Sequence, residues 1–519
     1  MMQDAEARTT RRWWDTRWFA LSAVLLSAVP LLWPALPPLG DLPGHMGRWH
    51  IAMALPTSPD LQRYYAYRWA LIPNLGMDLL VPALTRLFGF EPATKLAVIA
   101  IPMLTVAGLL WTAREVHGRI PPTAIFALPL AYAWPFQFGF VNFALSQALA
   151  FCALALWVRL GRQERLVLRA VVFVPIAFAL WIAHSFGWGM FGLMAAAAEI
   201  ARLRCDRRPW IAAFVTVAVR CLPLAVPLIV MIASALHPPP GSDAAGLGAA
   251  DWFDVPAKAL WVASILRDRW MVYDLASLGV LVAILYVAAR SPRLGFSAML
   301  GWPALACLAA FAILPRLMMG GAYVDMRMAP AALMLAVIAI APPASNPTDS
   351  VRFAPILAII GTAFLMIRLA GTTVSFIERS TEQERELAAI PSIPRGAAVL
   401  ALVSRPCGGV WSDLRRDSLP GMAIVRRDVF TNTQWALAGQ QLLRIRYAQA
   451  APFTADPTQL VLPSECAVIG SNFTAAIAHF PRAAFTHVWT LGFPPGAAKA
   501  ADLRVIWTNG ESTLYRVAR

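Results

Sequence analysis

A polar stretch from Gly40 to Asp78 follows the first long apolar segment of the chain and contains side chains that could do chemistry. Asp41, His45 and Arg48 are spaced so that they share one face if this stretch is helical. A carboxylate can accept a proton, and a guanidinium can bind two oxygens of a phosphate at once. Ionisable groups beside a hydrocarbon boundary are costly unless they face water, each other or a ligand. We therefore predict that this stretch contains the functional site.

A second helix is predicted to begin near Asn74, and it would bring Asp78 to the same surface. His45, Arg48, Asn74 and Asp78 are therefore the substrate-binding residues predicted in this stretch. Asp41 also has a simpler interpretation, because it stands where a helix N-cap residue would stand and a proline follows in the first turn. The sequence leaves both interpretations of Asp41 open.

A second candidate group lies far along the chain, in the segment GGAYVDMRMAP, which contains Asp325 and Arg327. Two glycines precede these residues, and an apolar run follows them. Arg327 is a candidate for binding a phosphate, because its guanidinium is always charged and planar. The alternative is an ion pair between Asp325 and Arg327, or an arginine that extends to the membrane interface to anchor the next span.

The composition places these residues in a membrane protein. The chain has 519 residues, of which 59% are hydrophobic and only 14% charged, and this is too apolar for a soluble globule of that length. The net charge of +15 could suggest nucleic acid. However, the arginines lie at the ends of apolar runs, where they set membrane orientation. We predict a lipid bilayer as the surroundings and no nucleic-acid partner.

Apolar runs along the chain predict a polytopic α-helical protein with about eleven transmembrane helices. Arginine-rich connections alternate with connections that lack Lys and Arg, which predicts a cytoplasmic N-terminus. The same alternation places the first loop, residues 38–91, and everything after residue 374 on the far side of the membrane. The runs fall near residues 18–39, 92–113, 121–137, 141–159, 168–184, 187–202, 210–235, 273–289, 295–315, 328–343 and 353–373.

Residues 375–519 differ from residues 1–374, because apolar runs shorten and charges and turn residues return. We predict a transmembrane domain over residues 1–374 and a small periplasmic α/β domain over residues 375–519. Its predicted strands are Ala397–Val403, His487–Leu491 and Leu503–Trp507, and its predicted helices are 378–389, 432–447 and 471–479.

Two of the six cysteines, Cys407 and Cys466, fall in this C-terminal domain. A pair in an oxidising compartment favours a disulfide, but two free thiols are equally compatible with the sequence. No Cys or Cys/His spacing predicts a structural zinc site.

The layout resembles that of the C-type (GT-C) membrane glycosyltransferases, which include aminoarabinose and protein-mannosyl transferases. The resemblance rests on an acidic residue after the first span, in GDLPGH at Gly40–His45, and on a long first loop containing PNLGMD at Pro73–Asp78. About eleven spans and a soluble C-terminal domain complete it. The resemblance implies that Asp41 is the catalytic base and that the donor is a sugar on a polyprenyl phosphate. Leu42 stands where the commonest pattern has a second acid, so no metal ligand or cofactor is predicted, although a divalent metal would be compatible.

Residues and resemblance together predict a glycosyltransferase of the cell inner membrane that acts on an extracytoplasmic glycan, lipid or protein. The predicted reaction is a single inverting displacement, with Asp41 as general base and Arg48 or Arg327 at the phosphate. The alternative is a non-catalytic protein of similar build, such as a transporter or an assembly partner in envelope-polymer export. No P-loop, G-x-S-x-G or H-E-x-x-H motif supports ATP-driven transport or hydrolysis.

Two further polar regions have functional interpretations that the sequence favours less than structural ones. His184, at the end of an apolar run, could line the cleft for the lipid carrier, but a structural hydrogen bond is favoured. Asp251, Asp254 and Lys258, in DWFDVPAK, could bind the acceptor, but solvated loop charge is favoured.

Overall fold

The computed structural model describes residues 12–236, 248–318, 321–341, 347–408, 410–412, 415–436, 441–463, 466 and 472–518. A large helical part, α1 to α16, precedes a C-terminal sheet domain. The helices are α1 (Arg17–Leu26), α2 (Leu42–Ala54), α3 (Pro59–Tyr64), α4 (Gly76–Phe88), α5 (Phe90–His117), α6 (Trp134–Phe138), α7 (Val141–Arg162), α8 (Leu166–Ala183), α9 (Ser185–Cys205), α10 (Trp210–Cys221), α11 (Val226–Leu236), α12 (Val255–Ala263), α13 (Met271–Arg290), α14 (Ala298–Ile313), α15 (Met328–Ile338), α16 (Pro347–Leu387), α17 (Gly421–Arg427) and α18 (Phe473–His479). The strands are β1 (Tyr65–Tyr67), β2 (Ala249–Ala250), β3 (Gly295–Phe296), β4 (Leu317–Met318), β5 (Ile340–Ala341), β6 (Ala398–Ser404), β7 (Phe430–Thr431), β8 (Leu443–Ile445), β9 (Leu460–Val461), β10 (His487–Leu491), β11 (Leu503–Thr508) and β12 (Thr513–Val517).

Within the described residues, six helices are long and apolar enough to cross a membrane. The multi-pass helical class predicted from the sequence is therefore confirmed, whereas the number of eleven spans stays a prediction. These helices are Phe90–His117, Val141–Arg162, Leu166–Ala183, Trp210–Ala233, Met271–Arg290 and Phe353–Ser392, and two shorter apolar helices are Arg17–Leu31 and Ala298–Ile313.

Prolines shorten two of the predicted apolar helices. The run at 121–137 is a buried 3-10 helix, Pro122–Tyr132, followed by the short α6. Pro129 lies inside the 3-10 helix, where an α-helix would lose a hydrogen bond and clash with the preceding turn. The first run likewise leaves the α-helical conformation after Leu26, before a proline-rich segment that leads to Gly40. These irregular segments bring the start of the first loop against the end of α6.

Helix α16 continues without a break through position 374, where the sequence predicted a change of domain. Neither Pro nor Gly occurs between Thr372 and Leu387, so nothing in the local sequence ends the helix there. The predicted helix at 378–389 is thus the end of α16 over most of its length. The boundary between residues 374 and 375 stays a prediction.

The C-terminal domain is built on a sheet with the strand order β11, β12, β10, β6 and β7, and β9 also pairs with β6. β6 runs parallel to β10, and its buried run from Ala398 to Val403 is typical of a strand covered on both faces. The three predicted strands are confirmed, and α18 confirms the predicted helix at 471–479 over its described residues. The predicted helix at 432–447 is wrong, because Leu443–Ile445 is a strand that pairs with β1 of the first loop.

Cys407 and Cys466 form a disulfide, with Cα atoms 5.5 Å apart. The sequence is equally compatible with a disulfide and with two free thiols, and the structure contains the disulfide. The other four cysteines, Cys152, Cys205, Cys221 and Cys307, are free.

Helix α2 packs on α17 of the C-terminal domain, and glycines allow this close contact. A Cβ atom on Gly421 would lie 2.8 Å from the carbonyl carbon of Pro43 and closer still to its oxygen. The first loop is also held through Asp428, which accepts a hydrogen bond from Ser58 at 3.2 Å and lies 2.7 Å from the Nε2 atom of His50. The C-terminal domain therefore packs directly on the helix that begins at Asp41.

We expect Gly421→Ala to separate α17 from α2, because backbone atoms of Pro43 occupy the place of the added methyl group. Overpacking of this kind destabilises by about 1–3 kcal/mol. The melting temperature in detergent should fall, and limited proteolysis should release the C-terminal domain more readily. Gly192→Ala in α9 is the control, since a Cβ atom there meets nothing within 4 Å. Equal melting temperatures for the two variants would contradict this account of the contact.

Candidate active site

Asp41 is held at the start of α2 by its backbone. The amides of Gly40 and Asp41 donate to the carbonyl oxygens of Gln137 and Phe138, at 3.2 and 2.9 Å. Gly139 follows with φ at +104°, and a Cβ atom there would lie 3.0 Å from the Asp41 Cα atom. Asp41 is the N-cap residue of α2 by position, with a proline in the first turn as expected, but its side chain makes no capping hydrogen bond to the helix.

Arg327 is almost completely buried, with 8% of its surface exposed, in the 3-10 turn Asp325–Arg327 before α15. Its guanidinium carbon lies 4.4 Å from the ring centre of Phe140 and 5.4 Å from that of Phe143. Burial lowers the pKa of Arg327 to about 10, while the nearby Asp41 carboxylate raises it. Arg327 is therefore protonated at neutral pH and interacts electrostatically with Asp41.

The guanidinium of Arg327 has few hydrogen-bond acceptors for a buried cation. Its Nη2 atom donates to the carbonyl oxygen of Ala322 at 3.2 Å, and its Nη1 atom lies 3.1 Å from Nε2 of His184. The other ring nitrogen of His184 accepts from the amide of Phe186, and a neutral imidazole has a single accepting nitrogen. His184 can therefore serve only one of these two donors. The Nε atom of Arg327 is buried and has no hydrogen-bond partner among the described residues.

Asp325 lies beside Arg327 in sequence but pairs with Lys258. The Lys258 ammonium is 3.1 Å from the Asp325 carboxylate and donates to the carbonyl oxygens of Phe311 and Leu314, each at 2.8 Å. Asp325 therefore forms its ion pair with Lys258, and the alternative prediction of an ion pair between Asp325 and Arg327 is wrong. The interpretation of Lys258 as solvated loop charge is also wrong, because this ion pair is largely buried.

Arg48 and Asp78 form a buried two-pronged ion pair. The Nε and Nη2 atoms of Arg48 donate to the two carboxylate oxygens of Asp78, at 3.0 and 2.9 Å. The side chain of Asn142 donates to Asp78 at 3.0 Å and to the carbonyl oxygen of Asn74 at 2.8 Å. Arg48 also donates to Gln441 of the C-terminal domain at 2.8 Å. The positive charge of Arg48 is thus already compensated within the protein.

His45 lies one turn beyond Asp41, between two tryptophan rings. Its ring centre is 5.8 Å from that of Trp49 and 5.0 Å from that of Trp435 in the C-terminal domain. Burial, together with the charge of Arg48, lowers the pKa of His45 well below its usual value. His45 is therefore neutral at pH 7, and it contributes shape and an aromatic surface rather than charge.

A narrow cleft opens beside Asp41, with a volume of only about 10 Å³, which is room for about one water molecule. We call it the Asp41 cleft. Two of its lining residues come from the C-terminal domain and were not predicted from the sequence. The cleft is lined by Gly40, Asp41, Trp134, Gln137, Phe138, Arg415 and Asp417.

The predicted site residues thus fall into two neighbouring groups. Asp41 interacts with Arg327, whereas Arg48, Asp78 and the Asn74 backbone form the other group, and the start of α7 touches both through Asn142 and Phe143. Gln137 and Asn142 were missed, although a polar residue within an apolar run is a usable signal. Within the described ranges, no group of three His, Cys, Asp or Glu side chains is placed to hold a metal ion.

The described residues thus form a long apolar helical part, a first loop packed on a C-terminal sheet domain, and a polar site between them. No protein-family model matches the sequence, and no curated protein is similar to it in sequence. Two crystal structures of ArnT from Cupriavidus metallidurans share the fold. The structure bound to undecaprenyl phosphate has a TM-score of 0.50, and the apo structure one of 0.51. Each is 14% identical to this chain, and each alignment covers 96% of this chain and 97% of ArnT. The resemblance expected from the sequence is confirmed for the fold.

We expect Asp78→Asn to destabilise the protein by about 3–5 kcal/mol, because it leaves the buried Arg48 charge without its carboxylate. Replacing both partners, as Arg48→Met with Asp78→Leu, should recover much of this loss. The measurement is thermal unfolding in detergent. Asp502→Asn, which removes the more exposed ion pair with Arg482, serves as the control and should cost about 1 kcal/mol or less. Equal losses in the two single variants would show that the Arg48 pair is not buried as described.

Proposed function

We propose that this protein is a glycosyltransferase of the C type in the cell inner membrane, which transfers a sugar from a polyprenyl-phosphate donor to an extracytoplasmic acceptor. One observation carries the proposal: Arg327 is a buried cation with unfilled hydrogen-bonding capacity, and it interacts electrostatically with Asp41. The fold adds support, because ArnT, which shares it, has been crystallised with undecaprenyl phosphate.

In the proposed reaction, the Asp41 carboxylate accepts the proton of an acceptor hydroxyl while that oxygen attacks the anomeric carbon of the donor. The bond between this carbon and the phosphate oxygen breaks, and the polyprenyl phosphate leaves with the bonding electron pair. One displacement of this kind inverts the anomeric configuration. A carboxylate in this role typically contributes about 10²–10⁴-fold in rate.

Arg327 is the better candidate than Arg48 for the departing phosphate. Arg48 already has a carboxylate on two of its nitrogens, so a phosphate would have to displace Asp78 or share the charge. Arg327 interacts with aromatic faces, one carbonyl oxygen and one imidazole nitrogen. An added phosphate oxygen would satisfy donors that are poorly served without it. His45, Asn74 and Asp78 shape the pocket around the substrates, and Asp325 orients the turn that carries Arg327.

The proposed topology has a cytoplasmic N-terminus, and it places the first loop and residues 375–519 in the periplasm. The alternation of arginine-rich connections supports this orientation. The disulfide between Cys407 and Cys466 supports it independently, because such bonds persist in oxidising compartments. The acceptor would then be a glycan, lipid or protein of the cell envelope.

Asp41→Asn tests the proposed base, because the amide keeps the shape but cannot accept a proton. We expect transfer from a polyprenyl-phosphate sugar to fall about 100-fold or more. Binding of polyprenyl phosphate should be retained, and this distinguishes lost chemistry from lost folding. Asp502→Asn is the control. Unchanged transfer in Asp41→Asn would rule out Asp41 as the base, whereas an unmodified protein that transfers no sugar would refute the enzyme and favour a transporter or assembly partner.

Arg327→Met tests the proposed phosphate contact. We expect kcat to fall about 100- to 1,000-fold, as for other groups that stabilise developing negative charge, and affinity for polyprenyl phosphate to fall as well. Arg327→Lys should recover part of the binding, because the charge is kept but the planar geometry is lost. The control is Arg86→Met, which removes an exposed arginine of α4. If Arg327→Met bound polyprenyl phosphate as tightly as Arg86→Met, the phosphate would have to bind elsewhere.

A further inference from the structure

One segment of the C-terminal domain, Val410–Asp417, reaches the Asp41 cleft, and the structure describes its residues 410–412 and 415–417. Arg415 is the most deeply buried side chain described in it, with 1% exposed. Its guanidinium donates to the carbonyl oxygen of Pro38 and to the side-chain oxygen of Gln137. The carboxylate of Asp268 lies 3.5 Å away.

Both acceptors belong to residues in the two chain segments whose backbone hydrogen bonds position Asp41; we call these segments the backbone frame of Asp41. Pro38 is three residues before Asp41, and the carbonyl oxygen of Gln137 accepts the amide of Gly40 at 3.2 Å. The Gln137 side chain is itself oriented, because its amide nitrogen donates to the carbonyl oxygen of Tyr132 at 2.8 Å. Arg415 therefore joins, from outside the helical part, the two chain segments whose contact holds the candidate base.

The same segment is anchored a few residues earlier. The indole nitrogen of Trp411 donates to Asp274 at 2.8 Å, and Asp274 is paired with the buried Arg368 at 2.9 Å. Arg267 donates to the carbonyl oxygens of Trp411 and Val410, at 2.9 and 2.7 Å. These contacts of Val410 and Trp411 anchor the segment just before Arg415.

Holding the two domains together does not by itself explain why a buried arginine, Arg415, lies at their contact. The contact between α2 and α17 and the pairing of β1 with β8 already join the first loop to the C-terminal domain. A buried arginine is costly unless its donors are well used. Arg415 uses donors of both its terminal nitrogens on the groups that frame Asp41, although its Nε atom has no hydrogen-bond partner among the described residues, and it also lines the cleft.

We infer that Arg415 is a positioning residue for Asp41, so that the C-terminal domain completes the active site. The catalytic part of this inference rests on the proposed function. The Arg415 cation and the Asp41 carboxylate also line the same cleft. Among the described residues, the other charged or titratable groups near that carboxylate or near Arg415 are Arg327 before α15, Asp417 in the same segment, His45 on α2 and Asp268, which lies 3.5 Å from Arg415.

The test compares Arg415→Met and Arg415→Lys with Arg482→Met, which removes an arginine of the same domain that pairs with Asp502. Hydrogen–deuterium exchange over residues 38–45 measures the backbone frame without any assay of activity. We expect faster exchange there in Arg415→Met, a smaller effect in Arg415→Lys, and none in Arg482→Met. The melting temperature of each variant in detergent identifies any variant that has unfolded, in which case Arg415→Lys provides the comparison.

The rate of sugar transfer and its pH dependence form the second measurement. In Arg415→Met we expect transfer to fall about 10- to 100-fold, as when a reacting group is slightly misplaced. The acidic limb of the pH profile should move to higher pH, because removing a nearby cation favours the protonated form of Asp41. A variant that was only less well folded would keep the wild-type pH profile.

Two results separate this inference from the proposed function. Exchange over residues 38–45 that is the same in the Arg415 variants and in Arg482→Met overturns the inference, whatever the activity. An unmodified protein that transfers no sugar overturns the proposed function, and the exchange measurement then decides whether Arg415 holds the frame. If hydrogen–deuterium exchange over residues 38–45 changes in Arg415→Met while the rate of sugar transfer and its pH profile do not, Arg415 holds the backbone but has no effect on catalysis.

Discussion

The site depends on the Arg327 guanidinium, which is buried and forms no salt bridge with a carboxylate among the residues that the structure describes. Moving a charge out of water costs several kcal/mol per ion, even after the protein relaxes around it. For Arg327, the desolvated contact with aromatic faces offsets about 2 kcal/mol of this desolvation cost. Hydrogen bonds to a carbonyl oxygen and to a shared imidazole nitrogen offset part of the remainder. The Asp41 carboxylate adds a favourable field. A site of this kind is most stable when an anion is bound, which is the property a lipid-phosphate enzyme needs.

Two arginines of the same site show how neighbours decide what a residue can do. Arg48 meets a carboxylate in a two-pronged geometry and becomes part of the scaffold that joins α2, α4 and α7. Arg327 instead contacts the rings of Phe140 and Phe143, so N–H groups of its guanidinium stay available as hydrogen-bond donors. The side chains are chemically identical, and only the facing groups differ. The first turn of α7 separates the two surroundings, with Asn142 on one side and Phe143 on the other.

The sequence predicted the start of α2, the helix after Asn74, three strands and both candidate arginines, because apolar periodicity and charges at membrane boundaries are local signals. It could not predict the partner of each charge. The pairing of Lys258 with Asp325 and that of Arg48 with Asp78 depend on tertiary contacts between distant segments. The 3-10 helix at Pro122–Tyr132 reflects prolines whose effect was underestimated. Arg415 gave no local signal, since its acceptors lie 377 and 278 positions earlier.

The joining of the first loop to the C-terminal domain also constrains the order in which the protein can be made. Arg48 and its acceptor Gln441 are 393 positions apart, and β1 pairs with β8 across a similar separation. The ribosome therefore delivers the first loop long before the segments that cover it. During translation this loop therefore lacks its final contacts until the last part of the polypeptide has been made. A prematurely terminated chain would insert its helices yet leave the loop uncovered, so biosynthesis itself restricts the finished site to full-length molecules.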